Sequence, residues 1–172
     1  MLLGCITHTK SCSDCRTFAL VVAIDKYASV RSLKGCKNDA RGIVDYMQNK
    51  LAARKSDIHT FYDENASREN ILSAFRTQLI DNEEIKSGDL MIFYFAGHDT
   101  SQYAPKEWEV QPKGEIERIC PQDIDFKSVH GIPSFTLNAL LTELADKKGN
   151  NSLSERMSIV LLVVTMSTGC HD

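Results

Sequence analysis

Two stretches of the 172-residue sequence could do chemistry together. DLMIFYFAGHDT, residues 89–100, is an apolar run that ends at Gly97 and His98, and STGCHD, residues 167–172, sets Cys170 beside His171. A thiolate attacks carbonyl carbon, and an imidazole near neutrality takes and returns protons. His98 and Cys170 are therefore the candidates for a Cys–His dyad, with the thiol acidified by a neighbouring imidazolium or helix terminus. Each residue alone also has a bland reading. A histidine behind a strand can simply pack, and a cysteine two positions before the last residue can be inert. Spacing and periodicity leave both readings open.

Two other clusters could hold a metal. Cys5, His8, Cys12 and Cys15 follow a C-x2-H-x3-C-x2-C spacing, which could supply four tetrahedral zinc ligands. The span is short and has no core around it, so the expectation is a tail (residues 1–16) with no metal. Asp123 and Asp125 carry oxygens that could contribute to a calcium site. The competing reading is a solvated loop, and the overall expectation is that no cofactor is needed.

The elements that must position His98 and Cys170 alternate along the chain. TFALVVAID, from Thr17, is a short Val-rich apolar run, the pattern of a strand buried on both faces. KNDARGIVDYMQNKL reads as a helix with Asn38 or Asp39 as cap and Ile43, Val44, Met47 and Leu51 as its stripe. DIHTFYD is a weaker strand. NASRENILSAFRTQLI is a helix capped by Ser67, with Ile71, Leu72, Phe75 and Leu79 on one face. DLMIFYFAG reads as the central strand, with Gly97 allowing a sharp turn before His98. A long loop follows, holding Tyr103 and Trp108. IPSFTLNALLTELADKKG is a third helix with the stripe Leu137, Leu140, Leu141 and Leu144 and a stop at Gly149. MSIVLLVV is the last strand. This order predicts an α/β fold, a three-layer sandwich with a mainly parallel sheet and helices on both faces. In such sheets functional groups gather at the carboxyl ends of the strands, and there His98 and Cys170 could converge.

Length and composition narrow the class. The chain suits one domain, residues 17–172, with 42% apolar and 25% charged residues. A net charge of −3 gives no pull toward nucleic acid or an anionic membrane. No apolar run approaches the ~18 residues of a membrane span. A cytoplasmic protein with its six cysteines as thiols is the expectation. No Gly-rich phosphate loop is present, which weighs against a nucleotide-binding domain.

FALVVAIDKY, LKGCKNDARGIVDYM, FYFAGHDT, ERICPQDID and GIPSFTLNALLTELADKKGNN, in this order, resemble the caspase-like domain of metacaspases, from about Thr17 to Asn151. The resemblance implies a cysteine endopeptidase acting on protein or peptide substrates, with His98 as general acid/base and Cys170 as nucleophile. It implies that Asp39 lines an acidic pocket for Arg or Lys at the scissile position, where a carboxylate pairs with a cation. Programmed cell death is the family's association. Three departures matter. Asp99 and Thr100 replace the family's Gly and Ser after the histidine, and a carboxylate beside an imidazole would favour its charged form. Thr168 replaces the Asp of D-x-C-H-S-G, and Asp172 replaces its Ser. Cys170 also lies 72 positions after His98, against about 50 in the caspase signature. The family's small-subunit segment, which follows the nucleophile, is not in this sequence. The expectation is a weak or inactive peptidase, or a non-catalytic module that associates with another copy or a relative through an open sheet edge.

Overall fold

The computed structural model of the chain describes residues 15–103, 114–148 and 158–167. Strand β1, Thr17–Ala23, is buried along its whole length, as its unbroken apolar run requires. It pairs in parallel with β2, Ile58–Tyr62, on one side and with β3, Leu90–Tyr103, on the other. Beyond β3 runs β6, Ser158–Ser167, parallel to it from Leu90 opposite Ser158 to Asp99 opposite Ser167. Four parallel strands in the order β2-β1-β3-β6 thus form the body of the sheet.

Helix α1, Cys36–Lys50, covers one face, and α2, Arg68–Ala74, and α3, Ser134–Lys148, cover the other. Side-chain alternation along β3 separates the two layers. Phe93 meets Phe75 edge-on at 5.4 Å between ring centres, on the α2 side. Tyr94 faces the opposite way, toward Cys36 and Asp39 of α1. The stripes read from the sequence are those that pack: Met47 in α1, Ile71, Phe75 and Leu79 in and after α2, and Leu137, Leu140 and Leu144 in α3 are all buried. Leu20, Phe93 and Phe95 are fully buried in the middle layer, each worth roughly 1.5–3 kcal/mol of apolar transfer. The three-layer α/β sandwich expected from the element order is the fold observed.

The structure corrects several local readings. The second helix does not continue regularly: Phe75–Ile80 is a π-helical extension of α2. Its cap is as expected, with the Ser67 hydroxyl accepting the Asn70 N–H at 3.2 Å. The helix α1 begins earlier than Asn38 or Asp39. Its first residue is Cys36 and its cap is Gly35, at φ +116°, a conformation that favours glycine. Strand β3 does not stop at Gly97 but runs to Tyr103. The segment behind it contains two strands, β4, Glu115–Ile119, antiparallel to residues 99–103, and the short β5, Ile132–Pro133. Trp108 and Gly149 lie outside the described residues, whereas Tyr103 is 70% exposed.

Candidate active site

His98 sits where β3 changes partner. Carbonyls two residues apart in a strand point to the same edge. Ile24 N–H donates to the Ala96 carbonyl at 2.9 Å, and Cys120 N–H donates to the His98 carbonyl at 2.9 Å. Along this edge β1 therefore gives way to the chain entering from β4, while β6 occupies the other edge. His98 is thus within the strand rather than past its end, and it is only 2% exposed.

Its backbone and its ring are both held. Its N–H donates to the Tyr27 hydroxyl at 2.7 Å, and its carbonyl takes Cys120. Its ring lies against the Tyr27 ring, with centres 4.9 Å apart and planes at 45°. Its Nε2 lies 2.7 Å from the Arg31 carbonyl oxygen. A carbonyl only accepts, so Nε2 carries a proton and donates it to Arg31.

The loop that supplies Arg31 and Tyr27 is itself tied down. Asp25, just past β1, turns its carboxylate to the N-terminus of α1 and accepts from Cys36 N–H at 3.0 Å and Lys37 N–H at 3.4 Å. An anion is stabilised at this position by the unpaired helix N–H groups. The Asp63 carboxylate accepts from the N–H groups of Asp25 at 2.8 Å and Lys26 at 2.9 Å, and pairs with the Lys37 ammonium. Burial alone would raise the Asp63 carboxyl, but Lys37 and the two N–H groups outweigh it and hold it below the ordinary range. Leu33 N–H to the Asp25 carbonyl and Ala28 N–H to the Gln122 carbonyl, at 2.7 and 3.0 Å, close the loop.

Gly97 has a different role from a turn. A Cβ there would come within 2.5 Å of the Tyr27 hydroxyl and 2.8 Å of the Phe95 ring. It is glycine because Tyr27 lies over it. Asp99 follows His98 within the strand, where adjacent side chains leave opposite faces.

Asp39 is exposed in the first turn of α1. It stands on the His98 side of the sheet, where, after burial, its charge helps to push the Tyr94 phenol upward. Cys36 is buried, and burial followed by the charge of Asp25 pushes its thiol up to about 11, which keeps it protonated and unreactive near neutrality. Cys170 lies outside the described residues, as do Cys5, His8 and Cys12. The parallel pairing of β3 and β6 nevertheless carries the chain to Ser167, opposite Asp99, three positions before Cys170. Asp123 accepts from Arg68 N–H at 2.9 Å. Asp125 accepts from the Ser128 hydroxyl and from the N–H groups of Val129, Lys127 and Ser128, which hold its carboxyl well below the usual range. Among the described residues no three His, Cys, Asp or Glu side chains gather as metal ligands, and no helix is long and apolar enough to cross a membrane.

Sequence reasoning missed Tyr27, Asp25 and the Arg31 carbonyl. The first two stand in FALVVAIDKY, where the signal was a tyrosine and an acid directly behind a buried strand. The third is a backbone group and leaves no mark in the residue code.

The class is an α/β sandwich with a mainly parallel sheet and a buried, tethered imidazole in its central strand, where that strand changes partner from β1 to β4. Residues 18–149 match the family described as metacaspase, peptidase C14 domain, and the chain belongs to that family. At family level this is a cysteine-peptidase type of function. The chain is 26% identical to Metacaspase-9 of Arabidopsis thaliana over 165 residues, covering 83% of this chain and 50% of that one. It is 30% identical to Metacaspase-1 of Plasmodium falciparum over 119 residues, covering 64% and 19%. Metacaspase-1 of Candida glabrata is 29% identical over 134 residues, covering 74% and 32%. The chain thus spans half or less of these curated relatives. A crystal structure of a Geobacter sulfurreducens protein shares the fold, with a TM-score of 0.60 at 16% identity, covering 88% of this chain and 50% of that one.

Proposed function

We propose that the chain carries the dyad of a cysteine endopeptidase, with His98 as general acid/base and Cys170 as nucleophile. The observation that supports this most is the pairing at His98. Nε2–H is held by the Arg31 carbonyl, which orients the ring. In the proposed reaction Cys170 passes its proton to Nδ1, and the thiolate adds to the carbonyl carbon of the scissile peptide bond. The tetrahedral intermediate collapses, the C–N bond breaks, and the imidazolium gives its proton to the departing amine. Water, deprotonated by His98, then cleaves the thioester and restores both groups. Asp39 is the proposed carboxylate for an Arg or Lys side chain of the substrate. With Thr168 in place of an acid, the second carboxylate of that pocket is missing, and slow turnover by this chain alone is expected.

A peptidyl thiol-directed probe with Arg at the scissile position tests the dyad. Slow labelling of Cys170 that disappears in His98→Ala is the expected result, and labelling that persists in His98→Ala overturns it. A second reading is supported by β6, whose Leu161, Leu162, Val163 and Val164 are 40–46% exposed on a strand paired, among the described residues, only with β3. Such an edge takes another strand. Absence of any labelling, together with a dimeric or mixed species on size exclusion, would favour a non-catalytic binding module.

A further inference from the structure

We infer that Tyr27 is the positioning residue for His98: its ring walls one side of the imidazole and its hydroxyl anchors the backbone from which the imidazole projects. This rests on the acid/base reading of His98 and adds the device that aims it. One side chain touches three parts of the same assembly. The Tyr27 ring lies against the imidazole at 4.9 Å. Its oxygen accepts the His98 N–H at 2.7 Å and lies 3.4 Å from the Cys120 carbonyl, to which it can donate only weakly at that length. The same oxygen fills the space over Gly97 that a Cβ would need. Burial pushes the phenol far above its ordinary range, so the hydroxyl keeps its proton and acts as a donor and acceptor rather than as a base.

The geometry explains why both halves of the side chain matter. The imidazole can swing about χ1 and χ2, and the hydrogen bond from Nε2–H to the Arg31 carbonyl holds one point of it. The flat Tyr27 ring beside it restricts rotation about that point. The Tyr27 hydroxyl in turn fixes the height of His98 relative to the loop that carries Arg31, because Tyr27 and Arg31 belong to the same loop. An error of about 1 Å in placing a reacting group costs on the order of 100-fold in rate.

The test reads the imidazole directly. In the full chain the ring ¹⁵N shifts of His98 report which nitrogen carries the proton, and exchange of the His98 amide reports its acceptor. The expected wild-type pattern is a single Nε2–H form with a slowly exchanging amide. Tyr27→Phe keeps the wall and loses the anchor, so the Nε2–H pattern persists while the amide exchanges at least about 10-fold faster. Tyr27→Leu loses both, and the two nitrogen shifts draw together as forms mix. Phe75→Leu, a core change on the other face of the sheet, is expected to lower the melting temperature and leave the His98 pattern as it was. An unchanged amide in Tyr27→Phe, unchanged ring shifts in Tyr27→Leu, or the same mixing in Phe75→Leu overturns the inference. None of these readouts needs turnover, so the inference and the His98→Ala labelling test of the dyad fail separately.

Discussion

At the end of the sheet where β1 begins, Arg16 donates to both oxygens of Asp57 at 2.8–3.1 Å and to Glu84 at 2.9 Å, while its guanidinium lies 4.6 Å over the Phe18 ring. The Asp89 carboxylate at the foot of β3 takes the N–H groups of Arg16 and Lys86 at 2.8 and 2.9 Å. At the opposite end, where β1 stops, the His98 ring meets the Arg31 carbonyl oxygen and the Tyr27 ring. The charges there, Asp63 with Lys37 and Asp25 with the α1 terminus, sit one step back and hold the loop that holds the ring. A carboxylate partner raises a cation and fixes its charge, as the hydrogen bonds that Arg16 donates to Asp57 and Glu84 do. A neutral acceptor fixes only direction. One end is thereby held by charge pairs, and the other is oriented by the Arg31 carbonyl and the Tyr27 side chain.

The largest contrast should appear when each end loses its central residue. His98→Ala is expected to reduce labelling of Cys170 by about 10²–10⁴-fold, the usual contribution of a positioned acid/base. Arg16→Leu leaves Asp57, which is 5% exposed, without its partner and should lower the melting temperature while sparing the labelling rate. Comparing probe kinetics with thermal melts for both variants checks this. Equal losses of labelling would erase the distinction between the two ends.

Acid should then probe the charges at both ends together. Asp57 is raised by burial, but the Arg16 guanidinium and the Ser56 hydroxyl overcome this and hold it below the ordinary carboxylate range, as Lys37 does for Asp63. A depressed folded pKa means that the unfolded chain takes up protons first, below about pH 4. The stabilisation is complete above that pH and is lost as pH falls through the folded values. Urea midpoints are expected to be flat from pH 7 to 5 and to fall below pH 4, with a shallower fall in Asp57→Asn and in Asp63→Asn. Only Asp63→Asn should also disturb the His98 ring shifts, because only Asp63 tethers the loop of Tyr27 and Arg31.

Gly97→Ala sharpens the contrast at the level of one methyl group. Its Cβ meets the Tyr27 hydroxyl and Phe95 ring well inside contact distance, so one of them must move, at a cost of about 1–3 kcal/mol. A chemical denaturation curve measures the loss. The tenant nearest the imidazole is the one displaced, so His98 ring shifts should change along with stability. Gly42→Ala in α1, with open space where its Cβ would stand, should instead be neutral or stabilising.

What could be read in the sequence follows from how each interaction is encoded. Burial on both faces writes itself as unbroken runs, so TFALVVA, LMIFYFAG and SIVLLVV announced the parallel strands, and the leucine stripe announced α3. The strand β4 was hidden in a presumed loop because EIERI offers only Ile116 and Ile119 to the core across five residues. The start of α1 was misplaced because its cap is not local: the carboxylate that satisfies Cys36 and Lys37 comes from Asp25, eleven positions before Cys36. His98 was legible because a polar residue interrupts an apolar run. Its supports were not, since one is a backbone carbonyl and another, Tyr27, reads as an ordinary loop tyrosine until β1 and β3 are laid side by side.

Ser67 offers the smallest and cleanest check, because it is a cap that the sequence did encode locally. Its hydroxyl accepts Asn70 N–H at 3.2 Å at the start of α2, whereas α1 relies on Asp25 from a distant part of the chain. Ser67→Ala should cost about 1 kcal/mol, the ordinary value for a lost side-chain cap. Its effect should stay in α2, leaving the His98 ring shifts and the Cys170 labelling rate unchanged. Asp25→Ala removes the acceptor for two N–H groups at the start of α1, next to the loop that aims the imidazole. It should therefore disturb His98 as well as stability. Equal and purely local effects of the two substitutions, measured by urea denaturation and by the ring shifts, would mean that the cap of α1 is only a cap and that the loop from Asp25 to Arg31 keeps its shape without it.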